Sequence, residues 1–362
     1  MNQIKSVDYI IVGLGLAGAS LALRMMQRGQ RIMVFDDPTA NRSSAIAAGL
    51  FNPITGKLMT KTWMADPIFP ELHLFYSWAE SKLNKSFYHP QPIYRPFLSV
   101  EEQNEWMGKS ADSILRNYIQ EVLTQSRYGS QVYDPFGGIL LKDCGYLDVQ
   151  LFLQEVSNYL LLNQAYTADW FDETQLEIRP SAVWYKNVKA HKIIFCNGTA
   201  IKQSSLGSSV PVRLLKGETL VIETEEKLEL IYNRGVYMVP MHRMNTYKIG
   251  ATYEAKLLTA EITEAGRIQL QHKLTELLKV PFRIISQDWG YRPTTPDRKP
   301  ILGLLPGYEN VVIFNGLGTK GVSLAPYFSA QLLDWLLGKT EIWPEVNINR
   351  FKSLFSKSTG VV

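Results

Sequence analysis

The sequence predicts an α/β fold in which a parallel-sheet domain is interlocked with a second domain built on an antiparallel sheet. Three observations predict it. Between Asp8 and Asp36 an apolar strand pattern, a glycine-rich turn and an amphipathic helix follow one another. Between Val212 and Thr252 the residues alternate as antiparallel strands do. Near the other end, the apolar run 311–314 leads through another glycine-rich turn into a long helix.

In the first unit, residues 9–12 (Tyr-Ile-Ile-Val) are short and branched enough for a buried parallel strand. Gly13, Gly15 and Gly18 follow in GxGxxG spacing. Leu16, Ala19, Leu23 and Met26 then recur on one side of a helix that Gly29 stops, before a second strand over 31–35 that ends at Asp36. A dinucleotide needs each of these parts: a turn free of side chains, backbone close to a pyrophosphate, a positive helix N-terminus, and a carboxylate for a ribose hydroxyl. GxGxxG alone is weak, but here it sits inside a strand-turn-helix unit with an acidic residue at roughly the ~20-residue spacing of a Rossmann-like domain. The run 9–23 is read as neither signal peptide nor membrane span. It carries three glycines, has no charged start beyond Lys5, and meets Arg24 short of the ~20 residues a span needs.

Bulk composition narrows the partners. The 362 residues suffice for one large or two interlocked domains, with 46% hydrophobic and 20% charged residues. Lys and Arg number 38 against 34 Asp and Glu, giving +4 and no block of like charge. Nucleic acid is therefore disfavoured, though charge alone does not exclude it. Cys144 and Cys196 form no CxxC pair, which argues against a disulfide framework or zinc site and fits a reducing cytoplasm. His73, His89, His191, His242 and His272 never fall at ligand spacing, so no metal is expected.

Along the chain, residues 41–49 (Asn-Arg-Ser-Ser-Ala-Ile-Ala-Ala-Gly) suit either the approach of a large flat ligand or a close-packed helical turn. An aromatic-rich helix is expected over 66–84, a strand over 92–98, and polar helical stretches over 101–108 and 110–125. Residues 137–141 and 145–147 read as a strand and its bend, with Asp148 capping a helix over 149–162. Residues 192–195 form another apolar strand ending in Cys196, Asn197 and Gly198, a second place for backbone to meet a nucleotide. After the antiparallel strands, Ile262, Ile268, Leu270, Leu274, Leu277 and Leu278 mark a covering helix. The last helix, 322–337, should be kinked or locally interrupted by Pro326. The expected division is 1–84, 138–210 and 285–362 for the nucleotide-binding domain, and 85–137 and 211–284 for the substrate domain.

The segments VGLGLAGAS with Asp36, SSAIAAG, GYLDV, IIFCNG, VYMVP followed by YKIGAT, WGYRPTTPDRKPILG and NGLGTKGVSLAP run over nearly the whole chain. On them the chain resembles the flavin-dependent D-amino-acid oxidase superfamily, closest to its glycine oxidase and monomeric sarcosine oxidase branches. The resemblance implies FAD, its adenosine end at Gly13, Gly15, Leu16, Ala17, Gly18, Asp36 and Asp37 and with Asn197 and Gly198 nearby. It places the isoalloxazine between the loop holding Ser43, Ser44, Ala48, Gly49 and Leu50 and the helix start Gly318, Thr319, Lys320, Gly321 and Val322. It further implies that Arg292 clamps a substrate carboxylate, that Tyr237 is the active-site tyrosine and that Lys248 activates oxygen. From the residues alone, Arg292 pairs equally well with Asp297 or Asp288, and Tyr237 and Lys248 could be a packing tyrosine beside a snorkelling lysine. If residues 241–244 form a hairpin turn, Pro240 faces Asn245 and Tyr237 lies opposite Lys248, on one face.

The matching carboxyl-terminal segments lack the cysteine to which the sarcosine oxidase branch attaches its flavin, so FAD is expected to be non-covalent. Residues 85–136 match no branch, and Trp63, Trp78, Tyr88 and Tyr94 are read as core before pocket. The implied activity is an FAD-dependent oxidation of a small amino acid, or of a secondary amine bearing a carboxylate, by hydride transfer to flavin N5. The imine would hydrolyse and oxygen would take the electrons. Two alternatives stand beside it: a tRNA-modification oxidase acting on a carboxymethylaminomethyl uridine, and a dehydrogenase using another acceptor.

Overall fold

The computed structural model describes residues 4–39, 43–55, 59–256 and 258–355. Its first layer is a six-stranded sheet ordered Tyr166–Ala168, Ile32–Asp36, Tyr9–Val12, Lys192–Phe195, Val311–Asn315 and Ile301–Leu304, parallel except for the last strand. Tyr9–Val12, Ile32–Asp36 and Val311–Asn315 are buried at every residue, as strands covered on both faces must be. One cover is the pair of helices Leu16–Gln27 and Gly321–Leu336, packed on each other. The other is a four-stranded sheet that brings Val183, Tyr185 and Val188 against Ile10, Val12 and Phe35.

The helix Gly321–Leu336 runs through Pro326 without interruption. Proline brings no N–H, so the carbonyl of Val322, four residues back, loses its helical partner. The Tyr76 hydroxyl, from the helix Ala65–Leu83, donates to that oxygen at 2.9 Å and removes the penalty of burying it unpaired.

The second layer is an eight-stranded sheet ordered Phe282–Thr294, Arg213–Thr224, Thr246–Gly250, Val236–Pro240, Ile231–Arg234, Ile93–Pro96, Gly138–Leu141 and Ile119–Leu123. It takes in Gly138–Leu141 and the whole of Phe282–Thr294, two strands at or across the expected divisions at 138 and 285. The helical stretch expected over 110–125 is not one. The chain leaves the helix Val100–Ser110, makes a 3-10 turn at Arg116–Tyr118, and pairs Ile119–Leu123 with Gly138–Leu141 as an edge strand. Its polar residues face solvent from the sheet edge, where composition cannot tell a strand from an exposed helix.

The hairpin also differs from expectation. Met241 N–H bonds to Thr246 O, and Asn245 adopts φ +57°, so the turn is 242–245 and the register moves by two residues. Tyr237 therefore faces Gly250, and Lys248 faces Val239. Because side chains alternate with a period of two, the slip leaves Tyr237 and Lys248 on one face as diagonal neighbours.

Under the other face lies the helix Glu264–Leu277, with Thr263 as its N-cap accepting from Gly266 N–H. Leu270, Leu274 and Leu277 are buried, and so is Leu278 just beyond. Ile262 precedes the cap and Ile268 points away from that stripe, so both are exposed. Asp148 caps the helix Val149–Leu162 as expected, accepting from Leu151 N–H at 3.0 Å. Tyr88 and Tyr94 are core, and Trp63 and Trp78 pack partly buried against it.

Replacing Tyr76 by Phe strands the Val322 carbonyl and should lower unfolding free energy by about 1 to 3 kcal/mol, measured by urea denaturation; an unchanged midpoint would refute this role for the hydroxyl.

Candidate cofactor and substrate site

A cleft of about 430 Å³ opens at the carboxyl ends of the parallel strands and extends to the face of the antiparallel sheet that carries Tyr237. Its floor depends on Gly13, at φ +96°, where a Cβ would come within 2.9 Å of both Asn197 Cα and Cys196 O. Gly18 serves packing and does not line the cleft: a Cβ there would lie 2.0 Å from Gly13 O, so its absence lets the helix close onto the turn. Gly15, Leu16 and Ala17 line the cleft. The N-cap residue Gly15 has no side chain to cap the helix and the first turn has no acidic residue, so no charge of the helix's own neutralises the positive end of its dipole beside the cleft. Asp36 and Asp37 line the same end. Asp36 also accepts from Leu14 N–H at 2.8 Å and from the Tyr166 hydroxyl at 3.4 Å, tying the second strand to the glycine turn.

The opposite wall joins both readings of the small-residue segment. Ser43–Ile46 is a single helical turn, and Ser43, Ser44, Ala48, Gly49 and Leu50 line the cleft; Asn41 and Arg42 of that segment lie outside the described residues. Ser44 Oγ accepts from Leu16 N–H at 3.3 Å. Asn197 and Gly198 line the cleft, and Asn197 Oδ1 is buried with no hydrogen-bond partner among the described residues. Gly318, Thr319, Gly321 and Val322 complete the wall, and Gly318 N–H bonds to Pro293 O at 2.8 Å, next to Arg292. Lys320 is turned aside: its Nζ bonds to Thr62 Oγ1 at 3.4 Å, and burial lowers its pKa, with Arg298 acting in the same direction.

Arg292 and Tyr237 line the cleft. Arg292 lies flat across Gly217, where a Cβ would be 2.1 Å from its Nη2. Its Nη1 donates to Thr252 O at 3.2 Å and its guanidinium sits 4.8 Å from the Tyr253 ring centroid. Neither aspartate is its partner, since Asp297 is paired with Arg350 and Asp288 lies 3.9 Å from Lys248. Tyr237 lies over Gly250, where a Cβ would be 2.4 Å from its hydroxyl. Burial pushes that phenol up to about 12 although Arg292 acts against the shift.

Lys248 does not line the cleft but stands behind its wall, 5% exposed, donating to Ile46 O at 3.0 Å. Burial lowers its pKa, opposed by Asp288 and Asp148. Strand pairing puts Arg292, Gly217, Thr219, Gly250, Tyr237 and Lys248 on one face. Gly217, Thr219, Gly250 and Tyr253 were not singled out from sequence. Their signal is the pairing of 213–224 with 282–294 and 246–250, which no local pattern reveals.

Among the described residues, no group of His, Cys, Asp or Glu is placed to hold a metal ion, and no helix is long and apolar enough to cross a membrane. Fold and cleft together define a dinucleotide-binding α/β protein. Residues 8–335 match the family described as FAD dependent oxidoreductase (DAO), and the chain belongs to that family. It is 23% identical over 375 residues to the tRNA 5-methylaminomethyl-2-thiouridine biosynthesis bifunctional protein MnmC of Hahella chejuensis, covering 91% of this chain but only 57% of that protein. Its fold is similar to that of glycine oxidase from Geobacillus kaustophilus (TM-score 0.75, 18% identity, 94% of this chain and 96% of the other). It is also similar to iminodiacetate oxidase from Chelativorans sp. BNC1 (TM-score 0.73, 17% identity, 93% and 97%). The protein is thus an FAD-dependent oxidoreductase, and the cleft fits that cofactor: a glycine cradle no Cβ could share, a helix start with glycine at its N-cap and no acid in its first turn, and the Asn197 amide oxygen, unpartnered among the described residues.

Gly13→Ala forces a strained φ and a clash with Asn197, so the variant should purify with little FAD, read from the 450 nm absorbance per protein; full occupancy would show that the cradle does not need this glycine.

Proposed function

We propose that the protein oxidises a small amino acid, or a secondary amine bearing a carboxylate, with oxygen as the acceptor of the electrons. The observation that carries this is Arg292, a cleft-lining guanidinium laid across Gly217 with no carboxylate partner among the described residues. A planar fork in that position suits bidentate capture of a substrate carboxylate. The similarity to proteins named for oxidising glycine and iminodiacetate, both carboxylate-bearing amines, supports the same class.

FAD supplies a two-electron acceptor when bound, and Gly13, Gly15, Leu16, Ala17, Asp36, the 43–50 segment, Asn197, Gly318, Thr319, Gly321 and Val322 would hold it. The chain's own contribution is position. Arg292 fixes the carboxylate. Tyr237, neutral to about pH 12, keeps its proton and offers a donor that orients the substrate. Lys248 holds a proton at Nζ behind the 43–50 segment, and its charge favours negative charge developing when oxygen is reduced. We propose non-covalent attachment: Cys144 and Cys196 are buried and burial raises both thiols, Cys144 to about 12, which leaves no thiolate to attack a ring.

A second reading takes the same chemistry to tRNA. The Hahella chejuensis relative is named for tRNA 5-methylaminomethyl-2-thiouridine biosynthesis, and a carboxymethylamino group on such a uridine would offer Arg292 the same carboxylate. Tight tRNA binding that weakens steeply with salt would favour it.

Arg292→Met should raise KM for a carboxylate-bearing amine by roughly 100-fold or more, the loss of two charge-assisted bonds, with FAD content unchanged. Retained KM would remove the clamp. Lys248→Met should slow reoxidation of the reduced protein by oxygen at least roughly tenfold and leave anaerobic reduction by substrate unaltered. The two half-reactions should also respond oppositely to pH. Reduction needs the neutral amine and speeds up as pH rises. Reoxidation needs protonated Lys248 and slows as pH rises through a pKa that lies below the ordinary lysine value. Stopped-flow rates showing the same slope for both would contradict these roles.

A further inference from the structure

We propose that Thr219 is a substrate-contacting residue whose hydroxyl accepts a hydrogen bond from the amine of a substrate held by Arg292. The inference rests on the carboxylate-clamp reading of the site and adds the group that recognises the other end of the substrate. Thr219 is 3% exposed, lines the cleft, and its Oγ1 has no hydrogen-bond partner among the described residues. A buried hydroxyl left unpaired is costly, and native interiors pair nearly all such groups. One that faces a cleft is satisfied when a ligand fills it.

Its neighbours identify the ligand atom. On the same face of the strand Arg213–Thr224, two residues away, Gly217 carries the Arg292 guanidinium. Directly across on the adjacent strand is Gly250, where a Cβ would lie 3.0 Å from Thr219 Cγ2 and 2.4 Å from the Tyr237 hydroxyl. Thr219 thus stands between the clamp and the tyrosine. Two strand residues span about 6.6 Å. A carboxylate bonded to Arg292 at about 2.9 Å brings the amine of an α-amino acid, attached one carbon away, within reach of the hydroxyl. The carboxylate oxygens already have the guanidinium donors, so the amine is the polar group still lacking a partner, and a threonine hydroxyl can accept from it.

The test uses FAD-loaded protein under anaerobic conditions with three ligands: glycine and sarcosine, followed by flavin reduction, and acetate, which has the carboxylate but no amine, followed by the shift in flavin absorbance. Thr219→Val should weaken apparent binding of glycine or sarcosine by roughly tenfold and change acetate binding by less than about twofold. Thr219→Ser should restore the native values, and Thr219→Ala should behave as Thr219→Val does and replaces it if that variant does not fold. Equal weakening of amine and acetate, or no weakening of either, overturns the assignment while leaving the clamp in place. Native protein that is neither reduced by the amines nor perturbed by acetate overturns the clamp reading and this inference with it.

Discussion

The site depends on a place where two parallel strands touch through their backbones. Beyond Val12 and Phe195 the chain reaches Gly13 and Cys196–Asn197, and a Cβ on Gly13 would press into both Asn197 Cα and Cys196 O. Gly18 lets the first helix settle on the same turn. The helix start, the Asp36 carboxylate and the Asn197 amide therefore converge on one cleft. Two walls are tied to this centre, Ser44 through the Leu16 amide and Asn315 through Gly198 O, and a bond from Gly318 to Pro293 O links the last helix start to the strand that carries Arg292.

The antiparallel sheet supplies chemistry by an alternation within one strand. In Arg213–Thr224, Leu220 and Ile222 enter the core beneath the helix Glu264–Leu277, whereas on the opposite face Gly217 lies under Arg292 and Thr219 lines the cleft. Lys216 and Glu218 share the core side as a buried ion pair at 3.1 Å, with Thr259, Thr263 and Gln287 completing their hydrogen bonds. Such a pair adds little net stability but is costly to break, so it holds the covering helix and its preceding loop in register. On the cleft side the glycines act by what they lack. Gly217 and Gly250 leave the sheet surface bare where Arg292 and Tyr237 lie down.

The strand-turn-helix unit from Tyr9 to Asp36 was legible because its constraint is local: glycine spacing, strand and helix lie within one short stretch. Arg292, Tyr237 and Lys248 stand out through resemblance, and the common face of Tyr237 and Lys248 follows from the period of two even with the register two residues out, whereas Arg292 joins that face only through the pairing of Arg213–Thr224 with Phe282–Thr294. The misjudgement has a physical source, since Asn245 takes the left-handed conformation that closes the turn and no rule of composition selects it over the alternative one residue earlier. The edge strand Ile119–Leu123 is indistinguishable from a helix in composition because an edge strand shows solvent the polar residues an exposed helix shows. Thr219 was invisible for a deeper reason: a threonine in a strand has no meaning until its partners in Phe282–Thr294 and Thr246–Gly250 are known.

The central proposal is that this FAD-dependent oxidoreductase oxidises a small amine that it holds by its carboxylate. Its most direct test is an anaerobic titration of the FAD-loaded protein with glycine, sarcosine, D-alanine, D-proline and L-proline, with glycinamide as the ligand lacking the carboxylate, followed across the flavin bands. The account predicts bleaching by at least one of the acids, none by glycinamide, and recovery on admitting air. Protein that retains FAD yet is bleached by none of the acids, or equally by glycinamide, would contradict it.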